Sequence, residues 1–325
     1  MRITRALAAA ALVLAALSAG GSPAVSVPAA APAAGPAATP SWLVCPSADQ
    51  MDAARGVVLL IAGTGSRPAE SFAWGYQRAL AADGFATCTL ALPQDGLGSF
   101  TVAAQRVRAG ILTTARLAGR RIDVVGHSQG GALPVWALKF WPQVAASLDD
   151  VVSLAGPFGG TALGNELCTL HRCAALAWQL RVGSKTVAAL RAAPLPTGPD
   201  APSITSLAAP YDEIVRPQPQ ASQLDGATNI VLNAVCPLDP SEHGLILGDP
   251  VGFALTLDAL THAGPADPAR IPPSTCQQAF IPHGDPIGAL AFGQTLLRFA
   301  TGLADPRRWV AAEPSLPAYA RPPRG

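Results

Sequence analysis

Residues 56–63, GVVLLIAG, form an unbroken apolar run rich in β-branched side chains, the pattern of a strand buried on both faces. Residues 71–84, SFAWGYQRALAADG, change to helical spacing and stop at Gly84; 85–93, FATCTLALP, read as the next strand. A helix is expected over 101–119, then a strand over 121–125, a helix over 130–140 and a strand over 149–156. The alternation breaks between Pro157 and Pro202, where only 187–193, VAALRAA, reads as helical. It resumes with strands over 203–209 and 228–237, and a helix over 287–303 precedes a proline-rich tail. Strands alternating with helices imply an α/β fold: a mostly parallel sheet with helices on both faces and right-handed crossovers. No internal repeat or second linker interrupts residues 41–325, so one domain is expected there, with 157–202 as a lid-like insertion over one end of the sheet.

The first 40 residues follow a different pattern. Arg2 and Arg5 precede a short apolar stretch, Ala6 to Leu17, and small residues follow, as in a secretory signal peptide cleaved somewhere between Ser18 and Ala31. The stretch is shorter than the roughly 20 residues a membrane-spanning helix needs. Residues 22–40 are rich in proline and alanine and read as an extended linker. A secreted, extracellular protein is expected.

Composition narrows the partners. The chain has 325 residues, half of them hydrophobic and 13% charged, and 22 basic residues almost balance 21 acidic ones. No basic block or aromatic–basic stripe offers a nucleic-acid surface, so that class of partner is set aside. Six cysteines in an exported chain suggest three disulfides, and Cys168 and Cys173 in CTLHRC are close enough to close a small ring. A metal site using His171 between them lacks a fourth ligand, so no metal is expected.

The chemistry concentrates around Gly126-His127-Ser128-Gln129-Gly130-Gly131, set between IDVV and ALPVWALKF. Glycines two residues before and two after a serine, at a turn from strand to helix, are the signature of a nucleophile elbow. Such a serine needs a base. Of the five histidines, His243 in CPLDPSEHGLI follows a strand and faces the sheet's carboxyl edge, where functional groups collect. His127 adjoins the serine and is expected to line the substrate pocket; His171, His262 and His283 read as structural or exposed. Asp212, just beyond the strand 203–209, is the candidate to orient the imidazole, with Glu213 its nearest rival and then Asp225 and Asp239. The order Ser128, Asp212, His243 is that of α/β-hydrolases. Thr64, between Gly63 and Gly65, and the backbone of Gln129 are the expected oxyanion donors.

Several separated stretches, in order along the chain, resemble the lipase B family of fungal and actinobacterial serine lipases within the α/β-hydrolase superfamily. They are GTGS at 63–66 with Ser71-Phe72, GFATC at 84–88, SQGG at 128–131, FWP at 140–142, WQ at 178–179, YDEIVRPQ at 211–218, AVCP at 234–237 and EPSLPAYARP at 313–322. The resemblance implies an α/β-hydrolase fold and a serine-dependent lipase or carboxylesterase. It places the acid at Asp212, the histidine at His243 and the oxyanion donors at Thr64 and Gln129. It also implies disulfides Cys45–Cys88 and Cys236–Cys276; Cys168–Cys173 has no counterpart. The chain departs from the family at His127, where a tryptophan is usual, at Pro157, where an aspartate near the acyl pocket is usual, and in lacking a C-terminal disulfide.

The expected function is therefore a secreted, monomeric ester hydrolase that works without a cofactor on acylglycerols or other apolar esters, including those at lipid–water interfaces. An acyltransferase using the same triad would differ only in which nucleophile reaches the acyl-enzyme. A non-catalytic lipid-binding module would not need the Ser–Asp–His set.

Overall fold

A computed structural model of the protein describes residues 39–170 and 172–321. The expected export segment and most of the linker, His171 and the last four residues lie outside these. The strands are β1 (Leu43–Val44), β2 (Val57–Ile61), β3 (Ala86–Leu90), β4 (Ile122–His127), β5 (Leu148–Leu154), β6 (Cys173–Ala174), β7 (Ser203–Ala208), β8 (Thr228–Val231) and β9 (Trp309–Val310). Helices α1 (Ala48–Ala53), α2 (Pro68–Phe72), α3 (Tyr76–Ala82), α4 (Phe100–Ala118) and α5 (Gln129–Phe140) connect the first half. They are followed by α6 (Ala162–Leu167), α7 (Ala175–Leu180), α8 (Lys185–Ala192), α9 (Leu232–Val235), α10 (Pro250–Thr261) and α11 (Phe292–Ala304).

Seven strands form one sheet in the order β1-β3-β2-β4-β5-β7-β8, parallel throughout except for β1. The apolar run of β2 explains why it sits inside. Val57, Leu59 and Ile61 enter the core on one face of the sheet, while Val58 and Leu60 enter the core on the other. A strand with polar residues at alternate positions would have left one face wet.

Three elements depart from the expected pattern. The helix expected over 71–84 is broken into α2 and α3 at Gly75, which passes so close to the Leu247 carbonyl that a Cβ would lie 3.1 Å from it. The strand expected over 228–237 stops at Val231, because its only neighbour in the sheet, β7, ends opposite it at Ala208. The chain then coils into α9, and Cys236 is tied to Cys276. The segment 157–202 is more structured than a single helix: it contains α6, α7 and α8.

That segment is fastened at several points. Cys168 bonds Cys173, β6 pairs antiparallel with β9 near the C-terminus, and Arg216 forms two hydrogen bonds with Glu166. Glu313, from the EPSLPAYARP stretch, accepts from the N–H groups of Lys185 and Thr186 at the start of α8. A carboxylate there meets the unpaired donors and positive end of the helix.

Candidate active site

The elbow forms where β4 passes directly into α5. Ser128 takes φ 56° and ψ −127°, a region that costs an L-residue about 1–3 kcal/mol. Its own N–H donates to the Leu154 carbonyl at the end of β5, at 2.7 Å. The flanking glycines make the turn possible by close approach. A Cβ on Gly126 would collide with the Gly130 carbonyl, and one on Gly130 with the carbonyls of Ile61 and Ala62. Any side chain at either position would push α5 off the sheet.

The neighbouring strand ends supply the other groups. After β7 the chain reaches Asp212, whose Oδ1 accepts from the N–H groups of Ile214 (2.9 Å) and Val215 (2.6 Å). Its Oδ2 lies 2.8 Å from Nδ1 of His243, and both side chains are nearly or fully buried. A carboxylate only accepts, so Nδ1 carries the proton and Nε2 is left as the basic nitrogen. His243 and Ser128 line the same cavity. Among the described residues no hydrogen bond joins the serine hydroxyl to the imidazole, a contact that commonly tightens only when substrate is bound.

The rival acids are engaged elsewhere. Glu213 accepts from the backbone N–H of His243 rather than its ring, and burial followed by the charge of Glu242 raises its pKa. Asp225 is exposed near Arg191, while Asp239 accepts from the Ser241 N–H. His262 pairs with Asp258, and the exposed His283 offers its carbonyl to Arg78.

Beside the serine, the Thr64 hydroxyl donates to Oε1 of Gln129 at 3.0 Å. Among the described residues the backbone N–H groups of Thr64 and Gln129 have no acceptor, so both are free to meet a negative oxygen. His127 is buried against the loop of His243. Burial, then the neighbouring His243, pushes its pKa down to about 3.

Two narrow cavities meet at Ser128 and Thr64. One, of about 40 Å³, is mostly apolar and runs past Pro157, Leu163, Leu180 and Leu303. The other, of about 30 Å³, contains His127, His243, Ser66 and Phe292. Ile214 and Phe299 line both. The sequence reading missed those two residues, although Ile214 stands in the stretch YDEIV that marked Asp212. A larger concavity, about 700 Å³, is lined by Glu242, Gly244 and Leu245 and includes neither Ser128 nor His243. Chemistry outweighs size here, because Ser128 and Thr64 line both small cavities and His243 lines one of them.

A mostly parallel α/β sheet with a serine on a strand-to-helix elbow, facing a carboxylate-bound histidine, defines an α/β-hydrolase. The chain is a homologue of lipase B of Pseudozyma antarctica, to which it is 29% identical across 94% of its own length and 89% of that protein. The crystal structure of Aspergillus fumigatus lipase B matches with a TM-score of 0.77 and 25% identity, covering 86% of this chain and 70% of that one. A Bacillus licheniformis lipase, BlEst2 in its propeptide form, shares the fold alone: TM-score 0.54, 15% identity, 71% of this chain and 56% of that one. No family model matches the chain.

Proposed function

We propose that the protein is a secreted serine lipase or carboxylesterase that cleaves acylglycerols or other apolar esters through an acyl-enzyme. The observation that carries this reading is the Asp212–His243 hydrogen bond beside a strained serine shared by two cavities. Ser128 Oγ attacks the ester carbonyl while His243 Nε2 takes its proton. Asp212 holds the imidazole in the required tautomer and stabilises it once charged. The N–H groups of Thr64 and Gln129 receive the developing oxyanion, each such donor contributing about 3 kcal/mol to lowering the barrier. His243 then gives its proton to the leaving alcohol, and water activated by the same nitrogen releases the acid.

The apolar cavity suits the acyl chain, and the one containing His243 suits the leaving alcohol, which must receive a proton there. In this reading residues 1–40 are the export segment and linker, 41–325 the catalytic domain, and 157–202 a roof over the acyl cavity. The enzyme acts as a monomer and needs no cofactor. Three disulfides suit an oxidising compartment. No helix among the described residues is long and apolar enough to cross a membrane.

The test is Ser128→Ala assayed on p-nitrophenyl esters and on emulsified triacylglycerols. Hydrolysis of both is expected to vanish while the circular dichroism spectrum stays unchanged. Substantial residual turnover would remove Ser128 from the role given to it.

A further inference from the structure

The mechanism leaves one buried side chain at the site unused. His127 is the last residue of β4, and its Nε2 lies 2.8 Å from the backbone carbonyl oxygen of His243. A carbonyl only accepts, so Nε2 carries the proton and donates it. The other nitrogen, Nδ1, is buried without a partner. The ring packs among neighbours of the site and lines the cavity shared by Ser128 and His243. Its centroid is 4.8 Å from that of His243, and Phe292 packs edge-on at 6.3 Å. Gly63 is equally close: a Cβ there would come within 2.9 Å of Ser128 Cβ and 3.3 Å of His127 Nδ1.

His243 itself stands on a loop, outside every helix and strand. Its ring is fixed by Asp212, and its main chain is held at two points: the N–H donates to Glu213 and the carbonyl accepts from His127. Glu213 belongs to the acid loop. His127 belongs to a fully buried strand and is covalently joined to Ser128. The His127 bond is therefore a direct tie between the frame that carries the nucleophile and the loop that carries the base.

We propose that His127 is a positioning residue whose Nε2–H bond to the His243 carbonyl sets the separation of the imidazole from the Ser128 hydroxyl. This rests on the reading of Ser128 and His243 as nucleophile and base. A bulky apolar ring in the same place would fill the space but leave the carbonyl without its donor. Displacements of about 1 Å in a reacting pair commonly cost on the order of 100-fold in rate.

Three variants separate a donor from a filler. Glutamine can place an N–H donor near the position of Nε2, leucine has the bulk without a donor, and asparagine is too short to reach. His127→Leu and His127→Asn are expected to lower kcat about 10- to 100-fold with KM changed by no more than about twofold. The same loss should appear in the rate at which a fluorophosphonate labels Ser128. His127→Gln should recover kcat to within about fivefold of the parent. Equal losses in the glutamine and leucine variants, or full kcat in the leucine variant, would overturn the proposal. If leucine prevents folding, the asparagine–glutamine comparison decides in the same way. Ser128→Ala run alongside keeps the two readings apart. An inactive Ser128→Ala with a fully active His127→Leu sinks only the positioning role, whereas an active Ser128→Ala sinks the nucleophile assignment beneath it.

Discussion

Arg298, on α11, grips Glu70, on α2, through two short hydrogen bonds of 2.7 and 2.8 Å, and the same guanidinium donates to the Gly65 carbonyl at 2.7 Å. Thr295 adds a bond from its hydroxyl to Glu70. Gly65 directly follows Thr64, so α11, which contributes Phe292, Phe299 and Leu303 to the cavities, is latched to the loop carrying the proposed oxyanion donor. The Arg298 hydrogen bonds hold the Glu70 carboxyl below its usual pKa. Its stabilising contribution is thus present above the ordinary glutamate range and is lost as pH falls through the lowered value. Glu70→Ala would remove both of the Arg298 bonds from a part-buried pair, while Asp95, 3.5 Å from the guanidinium, still faces Arg298. The variant is expected to cost about 1 kcal/mol at neutral pH by chemical denaturation. It should also lower kcat/KM more on long-chain esters than on acetates. An unchanged denaturation midpoint would show that α11 is held by apolar packing alone.

The second prediction concerns tautomers. Asp212→Asn keeps an oxygen for the N–H groups of Ile214 and Val215, but turns an amide donor toward His243 Nδ1. The ring must then accept at Nδ1 and carry its proton on Nε2, where it cannot receive one from serine. The expected fall in kcat is about 10⁴-fold with the fold intact. Glu213→Gln, which touches only the backbone of His243, should stay within about tenfold. Steady-state kinetics on one soluble ester would distinguish them, and a reversed order would transfer the acid's role to Glu213.

How much of this was legible in the sequence depends on the range of the forces involved. The strands of the parallel sheet carry their burial in their own composition: VVLLI in β2 has no polar residue to expose, so its place inside could be read directly. The elbow was equally local, since Gly126 and Gly130 answer to clashes within a few residues or with the adjoining strand. Asp212 stood out because it follows a parallel strand and so comes to the sheet's carboxyl rim, where its Oδ2 lies 2.8 Å from His243 Nδ1. What stayed hidden depends on contacts made across the chain. His127 was expected to line the pocket and does stand beside Ser128 and His243 in one cavity, but its hydrogen bond to a carbonyl 116 residues away is a partner no local pattern specifies. Phe299 enters both cavities from α11, more than 170 residues beyond the serine. Its helical spacing could mark a buried face but not which element it would cover.

The disulfides offer a third prediction, because they close rings of different size. Cys45–Cys88 and Cys236–Cys276 span 43 and 40 residues, and Cys168–Cys173 spans 5. The entropy removed from the unfolded chain grows with ring length, giving about 4 kcal/mol for the long rings and about 2 for the short one. Paired serine substitutions should follow that order in denaturation free energy. The short ring lies beside α6 and α7, which wall the apolar cavity, so its loss should be felt in substrate range more than in stability. A chain-length series that is identical with and without the Cys168–Cys173 bond would rule out that role.

The last prediction lies at the opposite end of the sheet. Asp123 near the start of β4 and Asp150 in β5 approach each other, and Asp123 accepts from the Asp150 N–H. Burial first, and then the charge of neighbouring aspartates, raises their pKa values to about 7 and about 8 respectively. In the unfolded chain both release their protons near pH 4. The folded state therefore binds more protons than the unfolded state between about pH 4 and pH 8, and stability must fall as pH rises through that window. His127 works in the other sense, its neutral form favouring the fold above its ordinary range and losing that contribution in acid. Comparing parent and variant from pH 4 to 8 isolates Asp150, because His127 contributes equally to both. Asp150→Asn, neutral at every pH, is expected to match the parent near pH 4 and to gain on the order of 1 kcal/mol by pH 8, since partial solvent contact screens the charge. Thermal denaturation across that range should show a sloping line for the parent and a flatter one for the variant. Parallel lines would mean that Asp150 is already ionised in the folded protein and its burial compensated by Arg121.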